Sequence, residues 1–303
     1  MCTWISSGAQ AADKVVIIPM GGAKTLQNVV TVAKANGKFT DPVAAISSIT
    51  DASATNPYLI LIAPGQYTLT KALVMKPYVD ISGSGESVTL LTGSISSLSS
   101  NEYSAIVKAA NNATLSNLSI SNIGSNKYSF GIYTTGLDNT ARIKDVSVTA
   151  SGGTEYNWGV YNNSSSPSMT HMCATALGVT GTNNWGIYNY FHSSPTLTEV
   201  NAIASGGANS FGIYNYNYSS PTMTEVSATA SAGTNNNGVR NYNSTQVTIR
   251  RSTLSVDSGF GIYNSTSSAS ITQSTIIGSV AGTGFWCVAS DNGSGTSLNG
   301  SCL

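Results

Sequence analysis

His171, Glu199 and Glu225 lie 28 and 26 residues apart, with Asp145 26 residues before the histidine and Arg251 26 residues after Glu225. If the chain stacks these positions, an imidazole meets two carboxylates. Carboxylates held that closely push one pKa upward, and an adjacent imidazole can pass a proton, so His171, Glu199, Glu225 and Arg251 are candidates for acid/base catalysis. The same residues also fit a solvated ridge of modest ion pairs, Asp145–His171–Glu199 and Glu225–Arg251, and that is the preferred reading. One imidazole and two carboxylates along a line do not converge as metal ligands do, so no metal and no cofactor is expected. A second chemistry-bearing set is Tyr188, Tyr190, Tyr214, Tyr216, Arg240 and Tyr242. Phenol faces with one guanidinium suit sugar rings, through stacking and hydroxyl bonding, provided that they share an exposed face. The alternative is that the tyrosines only stabilise a sheet through cross-strand pairing.

Both sets depend on a repeat. The string Phe211-Gly212-Ile213-Tyr214-Asn215 has near-copies around Gly131, Gly159, Gly186, Gly238 and Gly261. A period of about 26 residues marks a stacked architecture. A second string, Ser194-Pro195-Thr196-Leu197-Thr198, travels with it and recurs at Ser166–Thr170 and Ser220–Thr224. Both strings are short, alternating, rich in β-branched or aromatic residues, and bounded by Ser, Asn, Gly and Pro, so they read as strands. Coils of this length wrapped into parallel sheets make an all-β fold, a parallel β-helix (β-solenoid), and chirality favours the right-handed form.

Alternation then assigns faces. Phe130, Trp158, Trp185, Phe211 and Phe260 are expected inward, with Ile132, Val160, Ile187, Ile213, Val239 and Ile262. Asn162, Asn189, Asn215, Asn241 and Asn264 form an amide ladder at the following turn. Tyr133, Tyr161, Tyr188, Tyr214, Arg240 and Tyr263 point outward. In the second string, Leu115, Ile143, Met169, Leu197, Met223, Ile249 and Ile271 point inward. Their flanks make a Thr-x-Thr ladder over three coils, like the face of ice-binding solenoids, although exposed strands favour Thr for other reasons.

The 303 residues are 41% hydrophobic and only 9% charged, with 13 basic and 13 acidic side chains. No basic excess points to nucleic acid or to an acidic membrane surface. No apolar run is long enough to span a membrane as a helix. Residues 1–11 resemble the remnant of a signal peptide ending near Ala9-Gln10-Ala11, or a disordered tail, and bacterial-type export to the surface or medium is expected. Residues 12–57 read as an N-terminal strand and a short capping helix, with Asp41 as N-cap and Pro42 in the first turn. Residues 58–286 are the coils and 287–303 a tail. Cys287 and Cys302 can close that tail as a disulfide, and Cys173 reads as a small buried side chain.

Val32–Phe39, the helix, Leu59–Tyr67 and Val79–Gly85 together resemble the opening of pectinesterases, and more broadly the pectin-lyase-like right-handed β-helix superfamily. The resemblance covers about residues 30–95 and implies the fold and a polysaccharide or cell-surface glycan as partner. It implies no active site: Tyr67 is followed by Thr68-Leu69 rather than x-Glu, and the Gln-Asp-Thr-Leu, Asp-Phe-Ile-Phe-Gly and Arg-Pro-Trp motifs have no counterpart. The expectation is an exported, non-catalytic structural or carbohydrate-binding β-helix. A divergent polysaccharide lyase or hydrolase and an ice-binding solenoid are the alternatives.

Overall fold

The near-identical strings of successive coils lie side by side in register. Trp158 pairs with Trp185, Trp185 with Phe211, and Tyr161, Tyr188, Tyr214 and Arg240 follow in one column. The computed structural model describes residues 28–179 and 181–302. Among these residues the strands join in one continuous sheet, parallel in every strand-to-strand pairing, through about ten turns. This is the all-β parallel β-helix expected from the period. Each coil is closed by the coils above and below, so backbone groups that an isolated strand would leave unpaired are used in the ladder.

The second string bends at a fixed place. Asn117, Asp145, His171, Glu199, Glu225, Arg251 and Gln273 all have φ between 46° and 56°. A left-handed residue interrupts strand alternation, so Met169 and Met172, three apart, both face the core and are fully buried. The column of ionisable groups is therefore a corner of the solenoid. Its side chains project because the backbone turns there, which is why the position accepts Asn, Asp, His, Glu, Arg and Gln in turn.

The core is the single interior stack. Leu115, Ile143, Met169, Leu197, Met223, Ile249 and Ile271 belong to it, as do Ile132, Val160, Ile187, Ile213, Val239 and Ile262. Buried amides run alongside. Thr134 Oγ1 donates to Asn162 Oδ1 at 2.7 Å, and Asn162, Asn189 and Asn215 each donate Nδ2 to the Oδ1 of the next asparagine at 2.8 Å, ending on Asn241. The ladder stops there, contrary to the expected fifth rung. Asn264 keeps register with Asn241 but turns its amide to the carbonyls of Ser267 and Thr283.

The short helix Pro42–Ser47 is capped as expected, Val43 N–H donating to Asp41 Oδ1 at 2.9 Å. Pro42, Val43, Ala45 and Ile46 are buried, and the last three join the core beside Val30 and Val32. The parallel sheet starts earlier than residue 58, because Asn28–Val32 already pairs in register with Tyr58–Ile62. The proposed signal remnant, residues 1–11, lies outside the described residues. Cys287 and Cys302 are bonded, with Cα atoms 5.2 Å apart. Cys173 is buried, as expected, and it is also disulfide-bonded.

Candidate functional site

The aromatic column does not point inward. Phe130, Trp158, Trp185 and Phe211 form a second cluster with Tyr133, Tyr161 and Tyr188, separate from the interior stack. The glycine explains the correction. A Cβ on Gly159 would lie 2.5 Å from the Gly186 carbonyl oxygen and 3.1 Å from Thr175 N on the opposite wall; one on Gly186 would meet Gly212 O at 2.6 Å and Ile203 N at 2.7 Å. Glycine therefore occupies an inward place where no side chain fits, and the next residue, Val160 or Ile187, also faces in. Two consecutive inward residues shift the alternation, so the aromatic before the glycine and the tyrosine two residues after it share the outer face.

On that face the rings stack coil upon coil. Phe130 and Trp158 lie 4.5 Å apart, Trp158 and Trp185 5.0 Å, and Trp185 and Phe211 6.2 Å, all nearly parallel. The tyrosine column runs beside them, Tyr161 to Tyr188 at 5.3 Å and Tyr188 to Tyr214 at 5.2 Å. This mutual packing, not the interior, hides the rings. Tyr188 is only 7% exposed, so its expected solvent exposure is corrected, whereas Tyr190, Tyr214 and Tyr216 are half-buried and Tyr242 is exposed.

The layer is interrupted at Asn237, which replaces the aromatic residue in its coil. There and over the two preceding coils lies an open groove of about 410 Å³. Trp185 and Phe211 are part of its lining, with Tyr188, Tyr214, Tyr216 and Arg240 on one side and Asn183, Asn209 and Asn235 also bordering it. Tyr190 and Tyr242, expected in the same patch, do not line it; each packs against Tyr216, at 5.7 Å and 5.5 Å. The asparagines are a second, external ladder: Asn209 Nδ2 donates to Asn183 Oδ1 at 2.7 Å and Asn235 Nδ2 to Asn209 Oδ1 at 2.9 Å. Sequence reasoning missed them, and it placed Trp185 and Phe211 in the core. The signal was available, since an asparagine precedes the aromatic position by two residues in three successive coils, and residues two apart share a face.

Arg240 is held by rings rather than by acids. Its guanidinium lies 4.8 Å from the Tyr263 ring, 5.1 Å from Phe211 and 5.9 Å from Tyr214. It makes no ion pair among the described residues. Burial pushes Tyr214 up to about 12, with nearby Arg240 pulling the other way, and burial raises Tyr188 further. These phenols stay protonated at neutral pH. Trp185 Nε1, Arg240 Nε and Asn237 Oδ1 have no hydrogen-bond partner among the described residues. Buried polar atoms without partners carry a desolvation cost.

The ionisable corner is elsewhere, on the strands of the second string. His171 Nδ1 lies 3.6 Å from Asp145 Oδ1, its Nε2 contacts Glu199 Oε2, and Arg251 Nε donates to Glu225 Oε1 at 2.9 Å. All of these side chains are well exposed, between 35% and 50%. Glu86, remote in sequence, reaches the same region and accepts a hydrogen bond from Ser147 Oγ. Burial raises its pKa, with the Ser147 bond opposing. No group of three or more His, Cys, Asp or Glu among the described residues is arranged to hold a metal ion. The Thr ladder is in register, Thr196 with Thr222 and Thr198 with Thr224, until Arg250 follows Thr224.

No protein-family model and no curated protein matches the sequence. Solved structures do resemble the fold. A pectin methylesterase in complex with a hexasaccharide shares 13% identity over 91% of this chain and 92% of its own, with a TM-score of 0.51. A pectin methylesterase from carrot shares 14% identity over 89% and 90%, with a TM-score of 0.55. At such identities the likeness establishes architecture alone: the chain has the right-handed parallel β-helix fold of those proteins.

Proposed function

We propose that this is an exported, non-catalytic β-helix protein whose outer groove binds an acidic polysaccharide. The observation that carries the reading is the groove's lining: stacked aromatic faces, an external amide ladder, unpartnered donors on Trp185 and Arg240, and no carboxylate. Rings offer stacking surface to pyranose faces, amides and phenols bond hydroxyls, and the unpaired guanidinium favours an anionic group. Two proteins of the same fold are pectin methylesterases, one of them bound to a hexasaccharide, which makes polygalacturonate the first ligand to test. The disulfides support export, because such bonds persist in oxidising compartments.

The test is retention on a panel of polygalacturonate, alginate and neutral glucans. Wild type binds the acidic polymers more tightly than the neutral ones. Tyr214→Ala/Tyr216→Ala loses tenfold or more, about 1.4 kcal/mol, and Arg240→Gln loses the preference for acidic chains. Unchanged binding by the folded double variant rejects the groove. A second reading, a divergent lyase or hydrolase, draws on His171 held between Asp145 and Glu199. It requires new reducing or unsaturated ends on incubation with these polymers, abolished by His171→Ala.

A further inference from the structure

The turn that follows the buried asparagine ladder differs among coils. Two residues separate Asn162 from Ser165 and Asn241 from Ser244, but three separate Asn189 from Ser193 and Asn215 from Ser219. The two lengthened turns belong to the coils that supply Trp185 and Phe211 to the groove. Each holds two consecutive left-handed residues: Phe191 and His192 at φ 48° and 57°, and Asn217 and Tyr218 at 57° and 65°. Asparagine tolerates this conformation, but bulky aromatic residues rarely adopt it. Strain of this kind persists where the surroundings impose it, and it concentrates at binding sites.

The surroundings do impose it. Phe191 N–H donates to Tyr216 O at 3.2 Å, His192 N–H to Asn217 O at 3.0 Å, and Tyr218 N–H to Asn243 O at 2.6 Å. The side chains nevertheless gain little burial. Phe191 is 44% and Tyr218 47% exposed, and His192 is exposed as well. Burial in the core therefore does not account for aromatic residues at these strained positions. Their rings continue the groove: Trp185 to Tyr188 at 4.5 Å, Tyr188 to Tyr190 at 5.7 Å, Tyr190 to Phe191 at 6.1 Å, Phe191 to His192 at 4.7 Å and His192 to Tyr218 at 5.2 Å.

We propose that Phe191, His192 and Tyr218 form a second saccharide platform, so that the site takes a polymer running out of the groove, past Tyr190 and Tyr216, and over this corner. The proposal rests on the groove's reading as a glycan site. The occupant is a saccharide chain because the track begins at the groove's unpaired guanidinium and unpartnered indole N–H and continues as ring faces at coil-to-coil spacing. Stacking against successive rings suits an extended polymer better than a compact ligand.

The test uses size-graded oligogalacturonides, from dimer to octamer, titrated calorimetrically into wild type and Phe191→Asn/Tyr218→Asn. Asparagine keeps the left-handed backbone and removes only the rings. The expected result is unchanged affinity for the dimer and trimer, with a tenfold or greater loss for the hexamer and octamer. Equal affinity of the two proteins at every length overturns the platform. A fall in melting temperature of several degrees in the variant also overturns it, by assigning the rings to the turn's stability. Wild-type self-association that the variant abolishes, seen by sedimentation velocity, overturns it in favour of a second copy as occupant. If wild type binds no member of the series, the groove reading itself fails for this ligand class, and the platform with it; that outcome is separate from a length-independent one.

Discussion

Gly186 shows how much depends on a single missing carbon. A methyl there would sit 2.6 Å from Gly212 O and 2.7 Å from Ile203 N, both backbone atoms, so Gly186→Ala has to displace a coil. The expected cost is about 1–3 kcal/mol, typical of overpacking, read as a lower urea midpoint at unchanged slope. Glu86 makes the opposite case, a side chain whose removal helps. Its folded pKa is raised by burial, so the folded state binds its proton more readily than the unfolded chain does. That contribution is complete below the ordinary glutamate range and is lost as pH rises through the raised value. Glu86→Gln is thus expected to stabilise the protein at pH 7 relative to wild type and to give no gain at pH 3.5. The check is a pair of thermal melts at those pH values. Single residues were also where sequence reasoning failed. Strict alternation put Phe130, Trp158, Trp185 and Phe211 inside, because alternation alone does not say that Gly and the following Val or Ile both face inward; the asparagines two residues before the aromatic position were the signal that it missed. The same slip hid the groove and its asparagine border.

At the scale of elements, more was legible. The period, the strand strings, the inward column from Leu115 to Ile271 and the asparagine ladder all follow from side-chain type repeated at fixed spacing, which is what a parallel register demands. The helix start at Asp41 and Pro42 was readable because capping is local chemistry. Termination of the ladder at Asn241 was not, since it depends on where the Ser267 and Thr283 carbonyls sit in space. The tail packs on the coil that holds Cys287, whose N–H donates to Gly300 O at 3.0 Å, and Cys302 is buried there, so the disulfide ties that coil to the segment covering it. Cys287 and Cys302 are 15 positions apart in the chain. Loop-closure entropy puts the value of that link at about 3 kcal/mol. Cys302→Ser is expected to lower the melting temperature and to raise amide exchange in Phe285–Val288 before the central coils are affected.

Over the whole molecule, the buried phenols set an alkaline limit. Tyr161 and Tyr188 are raised well above the ordinary phenol value by burial, and Tyr214 to about 12. A raised folded pKa means that the stabilisation is complete below pH 10 and declines as pH climbs beyond it, because the unfolded chain then releases protons that the folded chain keeps. Absorbance at 295 nm should show part of the 15 tyrosines ionising normally and the rest only with cooperative unfolding. Tyr188→Phe should remove one of the late group.

The stacked indoles of Trp158 and Trp185, 5.0 Å apart and within 10° of parallel, also make the protein an optical object. Two identical chromophores at that distance do not absorb independently; their excited states mix, and the right-handed progression from coil to coil makes the mixing chiral. Where the two transition dipoles are not parallel, the far-ultraviolet circular dichroism of the native solenoid is expected to carry a paired band of opposite signs from the strong indole transitions of these two side chains. Loss of that couplet marks the separation of two particular coils, a local signal of unwinding that the molecule carries without any added label.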